Sequence, residues 1–275
     1  MKAVKHPGNC RLCGSFKSLT FEHVPPKQAL NSSAVMILPY KEVIKMITGE
    51  DGRLPWNASG LKGQVQQKGS GGYYLCQDCN NATGGWYMRE YSSFVRTLHV
   101  MIRQEDFNVG NRYSFIVQNT YPLRLFKAIM TMFCDINNNC FGDEKLRKYL
   151  LTKEATEIDC KKYTIYAYLL TPEMRRITGL AANVRFGTER AFEPVLVSEM
   201  ASYPIGFALY IDKPFDFTPF GVDISFWSQY GYDEKHEIRI ENIPYVNLNS
   251  QFPMDYRTKE EILECIEQNK EYQQI

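Results

Sequence analysis

Histidine is scarce in this sequence: four among 275 residues, at positions 6, 23, 99 and 236. Long apolar runs are absent as well. The best stretches, VMILPY and LLTPEM, fall far short of the roughly 18 residues that a membrane-spanning helix needs. The first ten residues, MKAVKHPGNC, carry two lysines but no apolar core of a secretory signal, so a soluble cytoplasmic protein is expected. There is no internal repeat and no low-complexity tract. Neither sign of charge dominates, since 32 Lys/Arg against 31 Asp/Glu leaves +1.

What is present is enough for a substantial core: 44% hydrophobic and 13% aromatic residues exclude wholesale disorder. The balanced charge hides an asymmetry. Residues 1–105 hold 13 Lys/Arg and 7 Asp/Glu, a net +6, and the remaining 19 and 24 give residues 106–275 a net −5. A basic N-terminal part suits a polyanion, because neutralising phosphates releases counterions. A solvated, lysine-rich surface is the plain alternative.

Eight cysteines fall into two classes. Cys134, Cys140, Cys160 and Cys265 are scattered and read as small buried hydrophobes. Cys10, Cys13, Cys76 and Cys79 form two C-x-x-C pairs, and four thiolates are the ligand set of a closed tetrahedral zinc site. A disulfide framework does not suit a reducing compartment. A thioredoxin-like redox pair would need only one C-x-x-C and a βαβ setting. The pairs are separated by 62 residues, 14 to 75, far more than the roughly 15–20 of a zinc ribbon. A zinc ion here would therefore tie together the two ends of something else.

Between the pairs lies FEHVPPK, residues 21–27, and directly after the second pair come Asn80 and Asn81. A strand over Leu19–Val24 is expected to end at Pro25–Pro26, because proline cannot extend a central strand. A helix is expected from about Cys79. Clamping the two knuckles would then bring Glu22, His23 and Asn80 close in space. A carboxylate and an amide oxygen are hard ligands that suit Mg²⁺ or Mn²⁺. A histidine beside them can take a proton from water and direct it at a phosphodiester. The plain readings stand beside these: His23 as a core or capping residue, and Asn80 and Asn81 as helix caps.

The order C-x-x-C, E-H-x-x-P, L-C-x-x-C-N, continued as CNNATGGWYMREY, resembles the HNH endonucleases, in their four-cysteine, zinc-bound ββα-metal branch. The resemblance covers roughly residues 8–95. It implies a structural zinc on Cys10, Cys13, Cys76 and Cys79, His23 as general base, and Glu22 and Asn80 as ligands of a catalytic divalent ion, Mg²⁺ or Mn²⁺. It further implies an enzyme that hydrolyses DNA phosphodiesters, of the kind used in phage defence, restriction and mobile elements; the motif leaves RNA open as substrate. One position departs: Gly71 stands where the family's central Asn orients the base. Asn57, Gln64 or a backbone carbonyl could take that role. The alternative function is a zinc-stabilised nucleic-acid-binding or adaptor protein with a decayed catalytic site.

Elsewhere the patterning is α+β. Residues 1–107 are expected to form the HNH-type domain with an insertion at 31–70, and 108–275 an α+β accessory domain that supplies regulation, partner binding or oligomerisation. In the insertion, YKEVIKMITG predicts a short helix. Gln64–Gln67 and Gly72–Leu75 predict a hairpin across KGSGG. The apolar spacing of Tyr87, Tyr91, Phe94, Val95, Leu98, Met101 and Ile102 predicts one buried helix face rather than a base-stacking surface. Thr83–Gly84–Gly85 reads as a turn. Helices are expected at LRLFKAIMTMFCDI and EKLRKYLL, and strands at YTIYAYLL, AANVRFG, PVLVSEM, IGFALYI, HEIRI and YVNL. A final helix is expected to start at a Thr258/Glu261 capping box.

Overall fold

Alternation of apolar and polar residues gives way to unbroken apolar runs in the second half of the chain, and those runs become a sheet buried on both faces. The computed structural model describes residues 6–137, 143–185 and 193–270. Six strands line up in the order β6 (Arg112–Thr120), β12 (His236–Val246), β7 (Tyr163–Leu170), β10 (Ile205–Ile211), β9 (Glu193–Ser202) and β8 (Arg176–Arg185). All neighbours are antiparallel except β12 and β7. A two-residue strand, β11 (Val222–Asp223), adds to β7. Of the predicted strands, YTIYAYLL, PVLVSEM and IGFALYI are present; AANVRFG lies in β8 up to Arg185, its last two residues falling outside the described ones; and HEIRI and YVNL, expected as two strands, belong to one β12 that stops at Val246. The strand β6 carries no strong alternation and has no counterpart among the expected elements. Helix and strand each account for 31% of the residues, so the mixed α+β class holds.

The N-terminal region builds a second, smaller sheet in the order β1 (His6–Asn9), β2 (Phe16–His23), β5 (Gly71–Cys76), antiparallel throughout. The first residue after β5 opens α2 (Gln77–Thr83), two residues ahead of the expected start. Residues 84–88 then make a π-helical turn into α3 (Arg89–Gln104). Thr83–Gly84–Gly85 is therefore not a loop but a wide helical turn, a form that shifts the helix face by a fraction of a turn.

The insertion contains β3 (Val35–Ile37), α1 (Tyr40–Thr48) and β4 (Gln64–Gln66). The expected hairpin between 64–67 and 72–75 does not form. Instead β4 pairs with β3, and β5 pairs with β2. The Gln66 side chain replaces a strand neighbour: Gly71 N–H donates to its Oε1 at 3.1 Å, and its Nε2 donates to Gly71 O at 3.3 Å. Satisfying a glycine backbone through one amide removes the need for a paired strand there.

Between the small sheet and the large one runs α4 (Pro122–Ile136), predominantly apolar and buried along nearly its whole length. Leu123, Leu125, Phe126, Ala128, Ile129, Met130 and Phe133 are all fully buried. Pro122 starts it, where a missing N–H costs nothing, and Glu90 on α3 accepts from Tyr121 N–H at 3.1 Å to fix its entry. The aromatic stripe of α3 packs as expected into this core: Tyr91 faces Phe207 and Phe94 meets Trp227 edge-on at 5.9 Å. One apolar cluster thus runs from Cys10 and Leu12 to Phe207 and Ile243. Next comes α5 (Glu144–Leu151), capped by Asp143, which accepts from Leu146 N–H at 2.7 Å. Lys127, buried within α4, donates to the carbonyls of Tyr149, Thr152 and Lys153 and so satisfies the end of α5; burial pushes its pKa down to about 7.

The opposite face of the large sheet is closed by the segment 247–258. Fully buried Glu199 accepts from Arg176, Tyr168 and Tyr256, a network that satisfies this carboxylate in the interior. The last helix, α6 (Lys259–Lys270), begins at the expected capping box: Glu261 N–H donates to Thr258 Oγ1 at 3.2 Å and Thr258 N–H to Glu261 Oε2 at 2.7 Å. No helix among the described residues is long and apolar enough to cross a membrane.

Candidate metal centre and active site

Cys10 and Cys13 sit on the turn between β1 and β2. The knuckle is closed by Cys10 N–H donating to Ser15 O and Gly14 N–H to Cys10 O, and Arg11 N–H to Tyr74 O ties it to β5. Cys76 ends β5 as the N-cap of α2, and Cys79 follows one turn in. The strand register that pairs Leu19 with Cys76 therefore carries one knuckle to the other. All four Sγ atoms lie within 4.8 Å of one another. Four sulfurs about 2.3 Å from a tetrahedral zinc would be about 3.8 Å apart, and Cys13 Sγ and Cys76 Sγ stand 3.9 Å apart. The group can hold a metal ion such as zinc. Its proton chemistry fits the same reading: a hydrogen bond with Cys79 pulls Cys10 well below the ordinary thiol range, while that bond and burial push Cys79 far above it. A divalent cation would release the protons that buried thiols such as Cys79 otherwise keep.

Of the scattered cysteines, Cys134 is buried as expected. Cys160 is only half-buried, 3.1 Å from the Ser228 hydroxyl, and Cys265 is also half-buried. Cys140 lies outside the described residues.

At the other end of β2, Glu22 and Asn80 are joined by a residue that sequence reasoning passed over. Asn80 Nδ2 donates to Thr20 Oγ1 at 3.0 Å, and that hydroxyl lies 3.2 Å from Glu22 Oε1 and 3.0 Å from Leu75 O. The signal was available, since Thr20 is two residues before Glu22 and a strand places both on one face. Neither asparagine caps α2, because Cys76 holds that position. Asn81 accepts from Gln77 at 2.7 Å on the exposed side of the helix. Glu22 has no cationic partner among the described residues, and burial pushes its pKa up to about 7 against the opposing pull of Thr20. A half-buried carboxylate held this way is a ready cation ligand. The Asn80 oxygen lies on the Gly84 side, so rotating the amide about its last bond would exchange oxygen for nitrogen beside Thr20.

His23 leaves the strand on the other face, with its ring edge-on to Phe21 at 5.1 Å. Its Nε2 is 3.0 Å from Lys68 O. A carbonyl can only accept, so Nε2 carries the proton and Nδ1 carries the lone pair. Of the three expected substitutes for the central Asn, Asn57 and Gln64 do not touch the ring: Asn57 accepts from Ser59 N–H and Gln64 pairs with Ile37. The backbone carbonyl holds it. Gly71 itself has a steric cause, because a Cβ there would stand 2.1 Å from Glu22 O. No Asn fits at that point of the register.

The loop that carries Lys68 is in turn held, at Ser70, by a side chain that no spacing foretold. Fully buried Asn31 donates to Pro25 O at 2.6 Å and Ser70 O at 2.8 Å, and accepts from Ser70 N–H at 2.9 Å. Arg175, just ahead of β8, donates to the same Asn31 oxygen at 2.6 Å and to Leu30 O at 3.1 Å. Gly69 lies flush against this asparagine with φ +94°, where a Cβ would meet Asn31 O at 2.1 Å. The turn after His23 and the loop that orients it are thus one unit, fastened to the large sheet.

A third connection is made by Arg11, whose guanidinium lies 4.4 Å from the centre of the Tyr74 ring and donates to Asp135 O at the end of α4. The Asp135 carboxyl is buried, its Oδ1 has no hydrogen-bond partner, and burial, followed by the nearby Glu22 charge, holds its pKa far above the usual carboxylate range.

No protein-family model, curated protein or solved structure matches this chain.

Two outcomes follow from this geometry. Replacing Asn31 with Ala strands buried partners at about 1–3 kcal/mol each, so Asn31→Ala should lower unfolding stability by about 3 kcal/mol in urea titration. Glu22 has a folded-state pKa raised above its unfolded value, so its contribution is full below about pH 4.5 and is lost as pH rises through about 7. Glu22→Gln should therefore raise the melting temperature at pH 8, in zinc-loaded protein free of other divalent ions, and leave it unchanged at pH 4.5.

Proposed function

We propose that the chain is a metal-dependent endonuclease of the HNH type that hydrolyses DNA phosphodiesters. In this reading Cys10, Cys13, Cys76 and Cys79 hold a structural zinc, and β2, β5 and α2 are the two strands and helix of a ββα-metal element. The observation that carries it is the convergence at the end of β2. The four-cysteine group brings Asn80 to Glu22 through Thr20, and one residue later His23 is fixed by Lys68 O with Nδ1 left to accept a proton.

His23 Nδ1 takes a proton from a water whose oxygen bonds to phosphorus, and the bond from phosphorus to the leaving sugar oxygen breaks. Lys68 O steadies the imidazolium that results, because the Nε2 proton already points at it. Glu22 and Asn80 would hold Mg²⁺ or Mn²⁺, and such an ion supplies charge stabilisation at the phosphate and the leaving oxygen. Glu22 and His23 lie on opposite faces of β2, so the scissile group must lie across the strand end, where the chain turns at Val24–Pro25. The Glu22 carboxyl must be ionised to serve, which makes activity rise with pH toward 7 and above.

A second reading is a zinc-stabilised nucleic-acid-binding module without catalysis. It is favoured by the Thr20 bridge, which presents the Asn80 amide nitrogen rather than its oxygen beside Glu22. Supercoiled plasmid with added Mg²⁺ or Mn²⁺ separates the two. The nuclease nicks or linearises it, and His23→Ala at equal zinc content loses about 100- to 10,000-fold in rate, the usual share of a general base. Binding by both proteins with cleavage of neither DNA nor RNA would establish the second reading.

A further inference from the structure

Aromatic rings on the solvent side of a sheet need a reason, because water solvates them poorly and the core has no use for them there. On the outer face of the small sheet, His6 from β1 and Tyr73 from β5 stack at 3.5 Å with their planes 21° apart, spanning β2 between them. Phe21 on β2 meets Tyr73 edge-on at 5.5 Å, and the same Phe21 meets His23 at 5.1 Å. Phe21 is 40% and Tyr73 43% exposed, so this row of rings is open to solvent. It leads without a gap to the histidine read above as the general base.

Two positive charges stand at the His23 end of the row. Lys27 follows the Val24–Pro25 turn, and Lys68 lies in the loop whose carbonyl holds His23. Both are exposed, and neither has a carboxylate partner among the described residues. Glu22 is on the other face of β2. Two unneutralised ammonium groups beside a row of flat rings complement a chain that alternates phosphates with bases. Paired bases in a duplex keep their faces covered by one another, whereas unpaired bases expose theirs for stacking.

We infer that this face is a base-stacking platform, and that the site at His23 takes single-stranded nucleic acid, with the bases beside the scissile phosphate laid on Phe21, Tyr73 and His6. This rests on the nuclease reading for the word scissile and on the ring geometry for the platform. The alternative use of the rings is cross-strand packing, which steadies a small sheet but recognises nothing.

The test uses zinc-loaded full-length protein without Mg²⁺ and a fluorescent 20-nucleotide oligothymidine, with the matching duplex as competitor. Anisotropy should give tighter binding of the single strand than of the duplex. Tyr73→Leu and Phe21→Leu, which keep an apolar side chain but remove the π-face, should each weaken single-strand binding by about 10- to 100-fold, the scale of one base–aromatic stack. They should leave zinc content and the circular dichroism spectrum unchanged, and Tyr73→Phe should bind as the wild type does. Equal affinity for both forms, or unchanged single-strand affinity in both leucine variants, would overturn the platform. Adding Mg²⁺ distinguishes this failure from that of the nuclease: duplex cleavage with indifferent leucine variants removes the platform alone. Single-strand preference lost in those variants, with no cleavage of any substrate, keeps the platform and removes the nuclease.

Discussion

Everything at the end of β2 depends on two turns far apart in sequence meeting at four sulfurs that can hold a metal ion. Cys10 and Cys13 precede β2, while Cys76 ends β5 and Cys79 follows it, and the intervening chain includes a whole insertion with its own helix and strand pair. Closing so long a loop costs entropy that three short strands repay poorly. Without a cross-link the register of β2 on β5 would be weakly specified, and a one-residue slip would turn Glu22 to the face of His23. That register pairs Leu19 with Cys76 and Thr20 with Leu75, which leaves the Thr20 hydroxyl 3.0 Å from the Asn80 amide on α2.

A second restraint acts at the opposite end of the same strands. Asn31 gathers the Val24–Pro25 turn, Ser70 and Arg175, so the carbonyl that orients His23 is anchored to the large sheet rather than to its own hairpin. The central helix α4 works alongside it. It fills the space between the two sheets and meets Arg11 of the first knuckle at its last turn. The small sheet is thus held at both ends, by sulfur at one and by a buried amide at the other. Its outer face is left free to carry the aromatic row.

How much of this could be read from residues alone follows from the range of the forces involved. The cysteine group was legible because ligand chemistry demands four like atoms, whatever lies between them. The nearness of Glu22 and Asn80 followed from it by geometry. The apolar strands β7, β9 and β10 of the large sheet were legible as runs and the buried face of α3 through periodicity, the α6 cap through a local three-residue exchange, whereas β6 showed no pattern. Thr20 was within reach by strand alternation. Asn31 was not, because its partners come from three separate segments and none lies at a fixed spacing. The 64–75 hairpin was misread since local turn residues argue for it, whereas β2 and β3 compete for both strands and win. Gly71 showed as a departure in sequence, but its cause, the approach of Glu22 O, exists only in the folded register.

Zinc K-edge X-ray absorption on protein purified without added metal tests the clamp most directly. One zinc per chain with four sulfur neighbours at about 2.3 Å is the expected spectrum, lost together when Cys76 and Cys79 are both replaced by Ser. A chain that folds and keeps its circular dichroism with no bound metal, or that binds zinc through two sulfurs or fewer, would contradict it.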